Sequence, residues 1–275
     1  MLQFAKHYRE AFILNFFEGI IRILDLRMKE PELYGWFHIL CLAAMVGVTV
    51  ALCKYGKKHS SEQVIKVIFR TAIVVTMLEI YKQINYTFTI EEGNIVSDYL
   101  WYAFPWQFCS MPMYVGLLCG SVRKGRIHDS LCAFLATYST FAGMAVMLYP
   151  DSVFTEVIGI NIQTMVCHGS MVMIGVYLLY TGYVKIELKT LVQALPVFIT
   201  GISAAMIMNE LAYRVGLLET DQFNMFMISP YLESTLPVYS AVQKVLPYPW
   251  CLIGYVGGFT IAAGLVLGIA KLMKR

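Results

Sequence analysis

The chain has 275 residues, 58% of them hydrophobic and 14% charged, with a formal net charge of +3. An average soluble domain carries about 25% charged residues, and the mean hydropathy here is +0.63. This balance excludes an ordinary soluble domain, and so small a net charge gives no electrostatic footprint for nucleic acid.

The first 32 residues lack the apolar h-region and small-residue site of a cleavable signal. Asn15, Glu18, Arg22, Asp25 and Lys29 recur at spacings of three and four, while Phe12, Phe16, Phe17, Ile20, Ile23 and Leu24 fill most of the remaining surface. That pattern predicts an amphipathic helix lying in the membrane interface over 1–32, supported by the pairs Glu18/Arg22 and Asp25/Lys29. A multi-pass membrane domain then occupies 33–275.

Seven apolar windows are each long enough to cross a hydrocarbon core of about 30 Å. They fall near 33–53, 64–86, 99–121, 129–149, 161–181, 190–211 and 249–270, so the expected fold class is an all-α polytopic helix bundle. The second window carries Lys66, Arg70, Glu79 and Lys82; six spans with one re-entrant segment is the alternative. Lys54, Lys57, Lys58, Arg123, Lys124, Arg126, Lys185 and Lys189 all follow odd-numbered spans, whereas 87–98 has no Lys or Arg. The positive-inside rule therefore predicts a cytoplasmic C-terminus and an external N-terminus. Segment 212–248 is too apolar for a free linker and predicts a re-entrant or lid-like structure docked on the helices. Trp101, Trp106 and Trp250 near span ends fit an aromatic belt.

The seven cysteines all fall in apolar segments, without a C-x-x-C pair. No disulfide framework, metal or cofactor is expected from their spacing. Cys109 is singular in another way, because Pro105 and Pro112 flank it. Neither proline can donate a backbone hydrogen bond, which predicts a kinked span with a polar pocket beside the thiol. Counting from the predicted outer surface, Cys109 is about ten residues in and His168 and Glu79 about seven, so all three share the outer half of the bilayer. A histidine in reach of a cysteine can take its proton, and Glu79, Gln107 or an asparagine could orient the pair. Glu79 also has a purely structural partner in Lys82, and His38 reads as structural.

Four stretches together carry a resemblance: "FPWQFCSMPMY" (104–114), "MVCHGSMVMIGVYLLYTG" (165–182), "MNELAYRVG" (208–216) and "NMFMISP…LPYPWCLIGY" (224–255). They resemble the YwaF-like integral membrane family in order and spacing from about residue 33 onward. That family is similar to an animal transmembrane acyltransferase that builds ether phospholipids, and more distantly to membrane hydrolases of fatty-acid esters. The resemblance implies Cys109 as the acyl-accepting nucleophile, His168 as its base, and Asn209 and Asn224 as pocket residues.

The expected function is a membrane-embedded lipid acyltransferase working through a Cys109 thioester. Gln107, Asn224 or backbone N–H groups would stabilise the oxyanion, and a membrane phospholipid or lysophospholipid would be the partner. A lipid ester hydrolase with the same dyad is the alternative. Two non-catalytic readings also stand: a heptahelical binding or transport protein using Glu79, Lys82 and His168, and a haem protein ligated by His38 and His168.

Overall fold

The computed structural model describes residues 17–91, 94–150, 153–217 and 223–274. Its long elements are α1 (Trp36–Gly56), α2 (Ser61–Asn85), α3 (Met111–Ser121), α4 (Arg126–Leu148), α5 (Ile158–Tyr180) and α6 (Leu188–Arg214). A short α7 (Pro237–Gln243) and a long α8 (Tyr248–Met273) complete an all-α polytopic bundle. Among the described residues, five helices, α1, α4, α5, α6 and α8, are both long and apolar enough to cross a membrane. The 25 residues of α2 give it the length to cross, about 37 Å, but it carries five charged side chains. A capping box fixes its start: Ser60 Oγ accepts from the Gln63 N–H, and the Gln63 side chain accepts from the Ser60 N–H.

The third predicted span is corrected by the structure. Residues 99–107 are not an α-helix; 3₁₀ turns occupy Trp101–Ala103 and Phe108–Ser110, and α3 begins only at Met111. Its 11 residues reach about 16 Å, roughly half the hydrocarbon thickness. Pro112 therefore lies in the first helical turn, where its missing N–H costs nothing. The prolines thus end a non-helical stretch rather than kink a continuous helix. Protein groups resatisfy part of that stretch: Tyr114 Oη donates to the Pro105 carbonyl at 2.7 Å and Trp106 Nε1 to the Gly201 carbonyl at 3.4 Å. Trp101 stacks on Phe104 and packs against Phe223, so among the three tryptophans assigned to a belt only Trp250 is exposed.

Helix occupies 17–24 of the N-terminal segment, and Ile21 is buried. The Phe12, Asn15 and Phe16 positions of the predicted stripe lie outside the described residues. Glu18 and Arg22 pair at 2.6 Å, but Asp25 and Lys29 do not. The helix stops before Lys29 could face Asp25, so Arg27 takes Asp25 at 3.4 Å and Lys29 takes Glu32 at 2.6 Å. The segment is tied to the bundle through the Leu24 carbonyl, which accepts from Tyr81 Oη at 2.8 Å and Asn85 Nδ2 at 3.2 Å. After α2, strands β1 (Phe88–Glu91) and β2 (Asn94–Ser97) form an antiparallel hairpin.

Helices α4 and α5 are the most enclosed of the candidate spans, and α5 packs against α1, α2 and α4. Within α4, Leu135–Ser139 winds as a π-helix. Thr140 Oγ1 donates to the Leu135 carbonyl at 2.9 Å, satisfying a backbone group loosened by that wider turn. Space for this hydroxyl exists because residue 175 is glycine; a Cβ there would lie 1.6 Å from Thr140 Oγ1 and 3.0 Å from the Leu135 carbonyl oxygen. Gly175→Ala should therefore destabilise the bundle by about 1–3 kcal/mol through overpacking. Thermal unfolding in detergent, compared with a Gly257→Ala control whose Cβ meets nothing within 4 Å, measures this.

Candidate active site

Phe108 anchors the turn that presents Cys109. Its ring makes edge contacts with Phe134, Phe198, Phe226 and Phe259 at centroid distances of 5.1–6.1 Å. Aromatic pairs at such distances contribute roughly 0.5–1.5 kcal/mol each beyond their burial. Cys167 on α5 lies against this turn, its Sγ approaching the Cys109 carbonyl at 3.7 Å. Cys167 is nine residues from the start of α5, so Cys109 is level with a point about 14 Å along that helix.

A small cavity of about 20 Å³ opens beside Cys109 and is also lined by Thr71, Met113, Ser139, Cys167 and Ser170. It has room for about one water molecule. Ser139, the last residue of the π segment, is fully buried, and its Oγ has no hydrogen-bond partner among the described residues. A buried hydroxyl left unpaired costs free energy, and here it borders the same space as the thiol. Sequence reasoning missed Ser139 and Cys167; a lone serine in an apolar helix was its only available signal. Met113 separates this cavity from an open groove of about 410 Å³ lined by Thr76, Glu79, Gln83, Pro105 and Tyr114.

His168 follows Cys167 by one residue, or about 100° around α5. That rotation turns it onto another face, and no hydrogen bond joins it to Cys109 among the described residues. Its Nδ1 is 2.7 Å from the Thr164 carbonyl. A carbonyl only accepts, so Nδ1 carries the proton and Nε2 of the neutral ring holds the free lone pair. Nε2 has no hydrogen-bond partner among the described residues. His38 differs on both nitrogens. The Tyr34 N–H donates to its Nδ1 at 3.0 Å, and Nε2 lies 2.8 Å from the Met147 carbonyl. Its two partners make it a structural link between α1 and α4.

Glu79 forms a neutralised cluster. Its carboxylate meets Lys82 Nζ at 2.7 Å, Gln83 Nε2 at 2.7 Å and Gln163 Nε2 at 3.3 Å. Gln163 is one helical turn from Cys167 on the same face of α5, so the ion pair and the thiol lie one turn apart along one surface. The depth agreement read from sequence thus becomes a shared helix face for Glu79 and Cys109, but not for His168.

Gln107, Asn209 and Asn224 converge on the 224–229 loop rather than on the thiol. Gln107 donates to the Asn224 carbonyl at 3.0 Å and accepts from the Phe226 N–H at 3.0 Å. Asn209 donates to the Met225 carbonyl at 3.0 Å and accepts from its N–H at 2.7 Å. Asn224 Oδ1 accepts from the Ser229 N–H at 2.8 Å, and Tyr255 Oη donates to the Phe226 carbonyl at 3.1 Å. These bonds hold Phe226 and Met227 at φ values of 57° and 56°, a left-handed conformation that bulky side chains adopt at a cost of order 1–3 kcal/mol. With Phe223, Met225 and Ile228 buried, segment 223–243 is docked on the helices, in the manner expected of 212–248; residues 218–222 lie outside the described set. Asn209→Ala removes one hydrogen-bond partner from each of the buried Met225 N–H and C=O groups and should cost about 2–4 kcal/mol. Limited proteolysis should then cut near 223–229, where the parent protein resists.

The arrangement offers a thiol, an unpaired hydroxyl and a histidine poised as acceptor, all within the apolar bundle. No curated protein and no solved structure matches the chain. Residues 33–268 match the TMEM164 family, a span from the start of the multi-pass domain to the last turns of α8. Cys109, His168 and the loop clamp all fall inside that match, and the chain belongs to the TMEM164 family, as an integral multi-pass membrane protein.

Proposed function

We propose that the chain is a membrane-embedded lipid acyltransferase that passes an acyl group through a thioester on Cys109. The observation that carries this reading is the tautomer of His168: its Nδ1–H is committed to the Thr164 carbonyl, and Nε2 remains as an unpaired base beside the cysteine-bearing face of α5. The resemblance to the YwaF-like family and its acyltransferase relatives adds independent support.

In the proposed cycle, His168 and Cys109, which no hydrogen bond joins among the described residues, are brought together as substrate enters. His168 Nε2 takes the thiol proton and the sulfur attacks the ester carbonyl of a phospholipid. The Ser139 hydroxyl, free in the cavity beside the thiol, donates to the oxyanion. Gln107 and Asn224 contribute by holding the 224–229 loop instead, since both amide atoms of Gln107 are already engaged. The carbon–oxygen bond breaks, His168 protonates the departing lysolipid, and the acyl group stays on sulfur. A second lysolipid hydroxyl then gives its proton to His168 and displaces the thiolate, which is reprotonated. Water in place of that hydroxyl makes the same centre a hydrolase. Approach of a carbonyl requires the 20 Å³ cavity to widen, and Met113, between cavity and groove, is a flexible side chain suited to move.

The basic residues following α1, α3 and α5 support a cytoplasmic C-terminus and substrate entry from the outer leaflet. Incubating purified protein with phospholipid vesicles and measuring intact mass tests the reaction. A hydroxylamine-sensitive acyl adduct mapped to Cys109, together with lysolipid release, is the expected result. Neither adduct nor lysolipid from any vesicle composition would overturn the proposal.

A further inference from the structure

At the opposite end of α3 from Cys109, three metal-ligating side chains meet. Cys119 is in the last turns of α3, while His128 and Cys132 lie one turn apart on the first turns of α4. All three are buried, at 0%, 1% and 2% exposure, and their ligand atoms all lie within 4.8 Å of one another. The two sulfurs are 3.7 Å apart, and Cys132 Sγ is 3.8 Å from each ring nitrogen of His128.

The sulfur–sulfur and Cys132–His128 separations are close to the edges of a coordination polyhedron, and the third pair lies within 4.8 Å. Metal–sulfur bonds of about 2.3 Å and metal–nitrogen bonds of about 2.0 Å set sulfur–sulfur edges near 3.8 Å and sulfur–nitrogen edges near 3.5 Å in a tetrahedron. An S–S bond would require the sulfurs to close to about 2.05 Å. Beyond the three ligands, the Asp129 carboxylate approaches His128 Nδ1 at 3.9 Å. That is the side from which an outer carboxylate orients a ligating imidazole. Binding through Nε2 would leave Nδ1–H to face Asp129.

We propose that Cys119, His128 and Cys132 bind a thiophilic d¹⁰ cation, Zn²⁺ or Cu⁺. Soft thiolate ligands with an imidazole select these ions over hard cations. Binding replaces two thiol protons by the metal, so both protons leave to solvent and no electrons move. With Zn²⁺, two thiolates and a neutral imidazole, the cluster carries no net charge, which suits an enclosed apolar setting. The metal would staple the end of α3 to the start of α4 across the 122–125 turn. It would thereby brace the short helix whose other end presents Cys109. The spacing C-x8-H-x3-C lacks a zinc-finger signature, and His128 fell just before the predicted fourth span. Only the chain reversal after Ser121 brings Cys119 to the i,i+4 pair.

The test uses full-length protein purified in detergent through a tag that contains no histidine. Elemental mass spectrometry should find about one zinc or copper per chain, and the element found distinguishes the two ions. Cys119→Ser and Cys132→Ser should each reduce that content at least tenfold, whereas Cys41→Ser, a substitution outside the cluster, should retain it. Wild-type protein stripped with a chelator should unfold roughly 5 °C or more lower. Added Co²⁺ should give a thiolate-to-cobalt charge-transfer band, a readout that holds even if the variants fail to fold. Wild type with no stoichiometric metal as purified and no such band with Co²⁺ would overturn the proposal.

Discussion

Replacing Cys109 by serine should lower lipid acyl turnover by roughly 10³-fold or more, the scale on which loss of a covalent nucleophile acts. Serine keeps nearly the size and the shape of the side chain, though its hydroxyl is more polar than a thiol, so α3 and the Phe108 ring cluster should still fold. What is lost is the nucleophile, because an alcohol is a far weaker one than a thiol unless a strong base activates it. The same logic separates Ser139 from a packing role. Ser139→Ala removes an unpaired buried hydroxyl, so stability should hold or rise slightly while turnover falls by about 10²–10³-fold, the effect of losing one oxyanion donor. Rates of lysolipid release from vesicles, measured beside thermal midpoints, distinguish the two effects. Normal turnover in Cys109→Ser would remove the thioester from the mechanism.

The second large effect concerns stability. The Glu79 and Lys82 side chains are 8% and 14% exposed and pair at 2.7 Å. Removing one member leaves the other charge enclosed, and such losses cost about 3–5 kcal/mol. Glu79→Ala or Lys82→Ala should therefore lower the thermal midpoint by roughly 6–20 °C for a chain of this size. Pairing the changes as Glu79→Gln with Lys82→Met keeps similar volume and removes both charges, so the double variant should recover most of the loss. A double-mutant cycle in detergent measures that coupling. Strictly additive losses would show that the two side chains act independently. Gln83 and Gln163, which also hold the carboxylate, should soften the Lys82 variant relative to the Glu79 one.

The class of this protein was legible in its sequence because a bilayer imposes one dominant requirement. Every spanning segment must be long, apolar and internally hydrogen-bonded, so α1, α4, α5, α6 and α8 appear as uninterrupted windows. Part of the neighbourhood was legible too, since Glu79 bonds Gln163, one turn from the Cys167 that approaches Cys109. Residues 99–107 are not an α-helix, however, and a count at helical rise does not hold there. The third window failed because hydropathy measures transfer into lipid and not backbone geometry. Residues 99–107 are apolar enough for a span, yet they run as turns packed against protein. Rotation about each helix axis was the other quantity the sequence left open. One residue of offset on α5 puts Cys167 against Cys109 and turns His168 away, while the two hydrogen bonds of His38 come from different elements. The roles of Gln107, Asn209 and Asn224 depended on a loop whose left-handed residues have no signature in their side chains. Cys119 and Cys132 likewise became neighbours only when α3 and α4 folded back on each other. Membrane class follows from local composition and segment length, whereas facing and partnership depend on how distant segments pack.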